Sequence, residues 1–279
     1  MKMKKLTAIA VAALLGSLSA NATVIFQDTF DGATAPGWGN LGENLAARQA
    51  GGTTGSAYTI AGVGPLASAL VGSTAVLGEN LVMRVQAGAT ATAGYTLVDM
   101  ATDFGPSLVG QEWTMSFSQL ITGNGIGAGW CGFSVGVNNP PGTPFANGFG
   151  FILADTGGWT AFNGGAAVGS GSLGGISGGV AHKWYDLAAT FNETASTVSL
   201  DYTDVANGTI NLGTFSTSFG AAGERFAGFR NHRDGIAAST YADMLVDDLQ
   251  IEVIPEPATL GLFALVGGGM LWFRKRFSI

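Results

Sequence analysis

The chain has 279 residues, of which only 11% are charged, and its formal net charge is −7. Three of its 12 Lys and Arg residues lie among the first five positions and three at 274–276, so six remain in the body against 18 of the 19 acidic residues. The body is therefore acidic, at about −12, which excludes nucleic acid and anionic lipid as favourable partners. Because 47% of the residues are hydrophobic, a folded body is expected rather than disorder.

The N-terminus has the parts of a secretory signal peptide. Three lysines come first, an apolar run follows over residues 6–18, and Ala20-Asn21-Ala22 supplies the small residues that signal peptidase cleaves after. The apolar run is short for a membrane span, which disfavours the alternative of an uncleaved anchor. Residues 1–22 are therefore predicted to be removed during export.

The body, residues 23–253, alternates apolar and polar residues along several short runs. The alternation is clear in EWTMSFSQL (112–120), CGFSVGV (131–137), KWYDLAATF (183–191) and STVSLDYTDV (196–205). Turn-forming sequences separate the runs, and Asn192-Glu193-Thr194 is predicted to be a hairpin loop. Strands of this length and spacing predict an all-β fold, an antiparallel two-sheet sandwich.

Two segments of the body are predicted to be loops. Residues 163–179 are rich in glycine and are interpreted as one long loop. Arg230, His232, Arg233 and Asp234 lie near glycine in a second one, where they either contact a ligand or are solvated. The single cysteine, Cys131, is predicted to be buried in a strand, so no intramolecular disulfide is expected.

Three strips of the body resemble laminin-G-like or concanavalin-like jelly rolls. HKWYDLAATFNETASTVSLDYTDV is similar to a strand, hairpin and strand of such domains, and VIFQDTFDG and MLVDDLQIEV are similar to their paired first and last strands. Pairing of those strands would bring Asp28, Asp31 and Asp247 together. Carboxylates are ligands that Ca²⁺ prefers, so a structural calcium is the one cofactor considered. The alternative is that Asp247 only accepts backbone hydrogen bonds.

Three tryptophans lie beside glycines, where their rings can be displayed to a ligand. These candidate glycan contacts are Trp38, Trp130 and Trp159. The faces of aromatic rings suit the apolar faces of sugars, although each tryptophan is alternatively a core or loop residue. No motif for a catalytic nucleophile or zinc site occurs, and no strand carries the alternating carboxylates of jelly-roll glycosidases.

The C-terminus is expected to be a weak membrane anchor. Residues 258–273 carry no charge and make a helix of roughly 24 Å, shorter than a hydrocarbon core of about 30 Å. Arg274, Lys275 and Arg276 follow and are expected to stay cytoplasmic, which leaves the body on the outer side, as the signal peptide requires. An ordinary tail anchor is the alternative.

Ile254 followed by Pro255, Glu256 and Pro257, an apolar stretch and a basic end together resemble the PEP-CTERM sorting signal of Gram-negative bacteria. The resemblance covers residues 254–279 and implies processing by an exosortase. It also implies a host that makes exopolysaccharide and a protein that is transiently anchored before reaching the cell surface or matrix.

The sequence therefore predicts a jelly-roll sandwich flanked by an N-terminal signal peptide and a C-terminal single transmembrane sorting helix. The expected function is non-catalytic binding of glycan or exopolysaccharide. The alternatives are a polysaccharide-active enzyme, with carboxylates brought together across strands, and a purely structural adhesin or coat subunit.

Overall fold

Alternating burial along the strands divides the side chains between an interior and two outer faces. The computed structural model describes residues 22–30, 43–45, 48, 57–63, 68–74, 79–86, 94–122, 129–137, 147–154, 156–173, 184–204, 208–219, 222–233 and 243–255. Residues 24–253 form one unit, and the terminal segments 1–23 and 254–279 form another. The described part of the first unit is an all-β structure, as predicted.

The strands in chain order are β1 (Thr23–Asp28), β2 (Glu43–Asn44), β3 (Tyr58–Val63), β4 (Ser68–Thr74), β5 (Glu79–Gln86), β6 (Gly94–Met100), β7 (Glu112–Thr122), β8 (Gly129–Gly136), β9 (Gly148–Ala154), β10 (Gly158–Asn163), β11 (Ala166–Ser172), β12 (Tyr185–Asn192), β13 (Thr197–Asp204), β14 (Gly208–Ser216), β15 (Phe226–Arg233) and β16 (Asp243–Ile254). A short helix, α1 (Gly105–Leu108), lies between β6 and β7.

The strands form two antiparallel sheets. The nine-stranded sheet has the order β14-β13-β12-β7-β16-β5-β4-β2, and β1 pairs with β16 beside this path. The seven-stranded sheet has the order β11-β10-β9-β8-β15-β6-β3. The first and last strands of the body therefore pair, as the jelly-roll resemblance predicted.

Aromatic side chains from both sheets fill the interior. The Phe117 ring of the nine-stranded sheet meets Phe133 and Phe229 of the seven-stranded sheet edge to face, at centroid distances of 5.6 and 5.0 Å. Such edge-to-face pairs add to the free energy gained by burying the rings. Cys131 is buried in β8, as predicted.

Strand β16 departs from the predicted alternation. Met244 and Val246 point into the interior, whereas Leu245 packs with Leu120 in a separate small cluster. Asp248 then adopts a positive φ of 50°, and the apolar Leu249 and Ile251 point into the interior. The extra residue of this bulge reverses the phase of the strand. The prediction that Leu245 and Asp247 share a face with Leu249 is therefore wrong.

Two predicted loops contain strands. The first ten residues of 163–179 complete a hairpin, in which Gly164 and Gly165 take positive φ values of 57° and 82° and β11 pairs with β10. Two consecutive positive φ angles are what a tight type I′ hairpin turn requires. The segment around Arg230 to Arg233 is not a loop but the end of β15, between β6 and β8. Residues 174–183 lie outside the described part of the chain.

A buried ion pair closes the hairpin between β12 and β13. The Arg225 guanidinium donates to both carboxylate oxygens of Glu193, at 2.8 and 2.6 Å, and the Trp113 indole N–H donates to the same carboxylate at 3.1 Å. The guanidinium also lies 4.5 Å from the centroid of the Phe219 ring. Glu193 therefore ties the predicted hairpin loop to a core tryptophan and to the segment that precedes β15.

Both sorting segments fall on residues that are not described. Residues 1–21 and 256–279 are outside the described part, so Glu256, Pro257, Arg274, Lys275 and Arg276 have no structural account; Pro255 is the last described residue. Within the described ranges, no helix has the length and apolar character that crossing a bilayer requires. The signal peptide and the sorting helix therefore stay predictions.

Replacing Glu193 by alanine should destabilise the fold by roughly 3–5 kcal/mol, because the buried guanidinium of Arg225 and the Trp113 N–H lose their acceptor. Urea denaturation followed by tryptophan fluorescence measures the change. Glu112→Ala is the matched control, since Glu112 is exposed and its loss should cost less than about 0.5 kcal/mol. Equal effects of the two substitutions would contradict the assigned role of Glu193.

Candidate functional site

The three candidate tryptophans have different environments. Trp130 lies on β8 with its side chain opposite in phase to the buried Cys131 and Phe133, and it is half-buried. Trp159 is only 9% exposed and packs against Phe151 in the interior, with Gly171 beneath its ring. The prediction that Trp159 displays its ring is therefore wrong, because alternation on β10 turns it inward. Trp38 lies outside the described residues.

Trp130 belongs to a row of three rings on the outer face of the seven-stranded sheet. His232 of β15 stands directly opposite Trp130 of β8 and directly opposite Tyr95 of β6. The Trp130 and His232 rings stack, with centroids 5.0 Å apart and planes 15° from parallel. Tyr95 is 36% exposed, and the other two are half-buried. We call Tyr95, His232 and Trp130 the aromatic row.

Buried polar groups lie next to the aromatic row. Arg230 precedes His232 by two residues on the same face, is 1% exposed, and donates from Nε to the Ser134 hydroxyl at 3.3 Å. Asp99 of β6 shares this face and is 3% exposed, and no described residue forms a hydrogen bond with its Oδ1. Glycine leaves room for Asp99, since a Cβ at Gly228 would lie 2.4 Å from Asp99 Oδ1.

The environment shifts both charged groups in the direction expected for burial. Burial raises the pKa of Asp99 from 3.8 to about 6, although the nearby Arg230 opposes this shift. Burial likewise lowers the pKa of Arg230, and Asp99 opposes that shift. The face therefore combines one exposed and two half-buried rings with a buried acid whose pKa is about 6.

Sequence reasoning found Trp130 but missed its two companions. His232 was assigned to a loop and Tyr95 to no element, although GYTLVDM (94–100) alternates as a strand. The row forms only because β15 lies between β6 and β8, strands that are far apart in sequence. Local alternation predicts that each side chain points outward, but it carries no information on which strands are neighbours.

The outer face of the nine-stranded sheet has a different chemistry. On β7, β12, β13 and β14, twelve outward positions form three cross-strand rows, and eleven of the twelve carry a hydroxyl, carboxylate or amide group. We call these residues the polar face: Thr114, Thr190, Ser199 and Thr214; Ser116, Ala188, Asp201 and Asn211; Ser118, Asp186, Thr203 and Thr209.

The polar face borders a depression of about 370 Å³. Ser118, Asp186 and Thr203 line it from the polar face, and Asp248 and Gln250 line it from β16. This volume is near the lower end of the range of small-molecule sites, about 300–1,000 Å³. Asp186 and Asp248 are thus two carboxylates from different strands at one depression, the arrangement that the enzyme alternative requires.

The carboxylates predicted to hold calcium do not converge. Asp28 faces the interior, where it accepts hydrogen bonds from Arg48 at 2.6 and 2.8 Å and from the Tyr58 hydroxyl at 2.8 Å. Asp247 lies on the opposite side of the sheet because of the bulge, and it accepts the Asp248 N–H at 2.9 Å. Asp28 and Asp247 therefore do not fit one calcium ion.

Asp31, the third predicted ligand, lies outside the described residues. Among the residues that are described, no group of three or more His, Cys, Asp or Glu side chains is placed to hold a metal ion.

The fold is the jelly-roll sandwich found in lectins. Lectin II from Ulex europaeus superposes with a TM-score of 0.51 at 10% identity, over 72% of this chain and 94% of the lectin. Lectin UEA-II complexed with galactose gives the same TM-score and identity over 78% of this chain and all of the lectin. The exoplasmic/lumenal domain of VIP36 in its Ca²⁺/Man3GlcNAc-bound form gives 0.51 and 10% over 72% and 87%.

These likenesses establish the fold and not the ligand, because the sequence identities are about one residue in ten. No protein-family model matches the sequence, and no curated protein sequence matches it.

Asp99 should make stability depend on pH. Because its pKa is raised in the folded protein, the folded state holds this proton more tightly than the unfolded chain. The stability that Asp99 contributes through its bound proton is therefore complete below the ordinary pKa of 3.8, and it is lost as the pH rises through about 6. Asp99→Asn removes this titration, so the variant should gain stability relative to wild type between pH 4 and pH 7, roughly the interval between the two pKa values.

Urea denaturation of both proteins across this pH interval measures the effect. The exposed, non-titrating substitution Ser107→Ala is the control and should leave the difference from wild type independent of pH through this interval. If the curves for Asp99→Asn and wild type run parallel, the shift assigned to Asp99 is wrong.

Proposed function

We propose that this protein is an exported, non-catalytic glycan-binding module whose aromatic row stacks against sugar rings. The observation that carries the proposal is the alignment of Tyr95, His232 and Trp130 in one cross-strand row on an outer face. Flat rings suit the apolar faces of sugars, and their few rotatable bonds keep the entropic cost of binding low.

The lectin fold supports the same function without proving it. Two of the similar structures hold sugars, galactose in one and Man3GlcNAc in the other. The acidic body favours a neutral glycan over an anionic polymer, because like charges repel.

The proposal includes delivery to the cell surface or matrix of a Gram-negative bacterium. Its support is the sequence alone: the N-terminal signal peptide, the Pro255-Glu256-Pro257 motif and the basic cluster Arg274, Lys275 and Arg276. In this proposal an exosortase processes the tail, and the released body associates with exopolysaccharide. Fractionation of the native host tests it, since the intact, unprocessed chain in the cytosol would contradict export.

Polysaccharide cleavage is the second candidate function. One observation favours it, namely that Asp186 and Asp248 line the same depression. A glycosidase needs two carboxyl groups roughly 5–9.5 Å apart, one to donate a proton and one to act as base or nucleophile. Release of reducing ends from a polysaccharide, abolished by Asp186→Asn, would favour this function over binding alone.

Tyr95→Ala and Trp130→Ala should each weaken glycan retention about tenfold, which corresponds to about 1.4 kcal/mol, because each removes one ring of the platform. The measurement is affinity electrophoresis of the full chain through gels containing galactan or mannan. Tyr95 is the sharper test, since its side chain is the most exposed of the three and its removal should barely affect folding.

Two further variants control this experiment. Trp130→Phe keeps a ring and should keep most of the retention, whereas Val109→Ala changes an exposed apolar residue elsewhere and should have no effect. Unchanged retention for both alanine variants would contradict the assigned site. Absence of retention and of reducing-end release in the wild-type protein would instead favour the structural adhesin.

A further inference from the structure

The composition of the polar face differs from that of protein interface cores, which are enriched in aromatic residues, Met and Arg. Its outward side chains are all small or short, and none is aromatic, Lys or Arg. Adjacent strands place these groups about 4.8 Å apart across the sheet and about 6.7 Å apart along each strand. The result is a regular, nearly flat array of hydrogen-bonding groups.

Hydrogen bonds between neighbouring strands fix the orientation of this array. The Ser118 hydroxyl donates to Asp186 Oδ1 at 2.6 Å, and the Asn211 amide donates to Asp201 Oδ1 at 2.8 Å. The Thr203 and Thr209 hydroxyls bond to each other at 2.9 Å. A carboxylate oxygen or hydroxyl held in this way keeps further lone pairs for a ligand. Because the side chains are already ordered, binding costs less conformational entropy.

We propose that the polar face is a second glycan-binding surface, which takes a neutral polysaccharide chain by hydrogen bonds alone. The depression lined by Ser118, Asp186 and Asp248 is its deepest point, where one or two sugar units are seated. A sugar hydroxyl both donates and accepts, so it pairs with carboxylate acceptors and with Ser and Thr hydroxyls alike.

The chemistry of the face favours this occupant over others. Asp186 and Asp201 give the polar face negative charge, and Asp248 adds to it at the depression. The polar face contains no basic residue, so an anionic polysaccharide is repelled. A protein partner is also a poor fit, because interface cores are enriched in aromatic residues, Met and Arg and depleted in Ser and Asp. A neutral, hydroxyl-rich polymer matches both the charge and the hydrogen-bonding capacity.

The second surface has a consequence for the protein as a whole. The aromatic row and the polar face lie on opposite sheets and point away from each other. If the aromatic row binds glycan as proposed above, one domain holds two polysaccharide chains and bridges them. Such a domain cross-links a polysaccharide as a monomer, because both binding surfaces belong to one protein chain.

The test compares retention with cross-linking by the full chain. Gels containing a neutral glucan, mannan or galactan measure retention, light scattering of the same polysaccharides in solution measures cross-linking, and alginate serves as the anionic probe. Ser118→Ala/Thr203→Val removes two hydroxyls of the depression while keeping side-chain volume close, and Ser107→Ala on α1 is the matched control. Circular dichroism and urea denaturation establish that each variant is folded.

We expect the migration of the wild-type protein to be retarded in at least one gel that contains a neutral polysaccharide, and not in a gel that contains alginate. The wild-type protein should also raise the light scattering of that neutral polysaccharide in solution. The Ser118→Ala/Thr203→Val variant should lose scattering at least fivefold and keep part of its retention through the aromatic row. Tyr95→Ala should also lose scattering while keeping part of its retention, through the polar face. Combining the three substitutions should abolish both signals.

Other outcomes separate the two sites. Wild-type scattering from the Ser118→Ala/Thr203→Val variant overturns the polar-face proposal and leaves the aromatic row intact. If that variant loses all retention while Tyr95→Ala loses none, the aromatic row is not a binding site and the polar face is the only one of the two that binds. Retardation by alginate alone overturns the neutral-glycan assignment, and absence of any binding by wild type overturns both.

Discussion

The register of β15 between β6 and β8 is the constraint on which the candidate site depends. Phe229 and Asn231 point inward, and the Asn231 amide donates to the Val85 carbonyl of the opposite sheet at 2.6 Å. This bond fixes the phase of β15, so Arg230 and His232 must point outward. A slip by one residue would turn Phe229 out of the core and carry the polar Arg230 and His232 side chains into it, which disfavours the alternative register. The packing of the core thereby positions the aromatic row.

The distribution of cations explains why the outer faces are acidic. Only six Lys and Arg residues lie in the body, and Arg48 and Arg225 are committed to buried pairs with Asp28 and Glu193. Each of these pairs uses a bidentate guanidinium, which satisfies a carboxylate that has left water. Each buried pair removes one cation and one carboxylate together, so it leaves the acidic excess of the body unchanged. The polar face owes its negative charge to the small number of Lys and Arg residues in the body.

Alternation in the sequence predicted the strands and the direction of most side chains. It succeeded on β7, β8, β12 and β13, where a continuous ladder keeps the two-residue period. It failed on β16 because Asp248, at φ 50°, inserts one residue and reverses the phase. It failed for β11 because small residues and glycines show no amphipathic pattern. Pairing partners, and with them the aromatic row, depend on tertiary topology that no local pattern encodes.

The environment of Asp28 shows how one physical requirement can be met by two different groups. A carboxylate turned inward needs a cation or several hydrogen-bond donors, and a calcium ion is one such cation. Arg48 supplies the positive charge from within the chain, and the Tyr58 hydroxyl and the Phe30 N–H supply further donors. The guanidinium donates to both carboxylate oxygens, which a metal ion would otherwise contact. The first strand is thus held to its neighbours without a cofactor at Asp28, and its stability should not depend on calcium concentration through that residue.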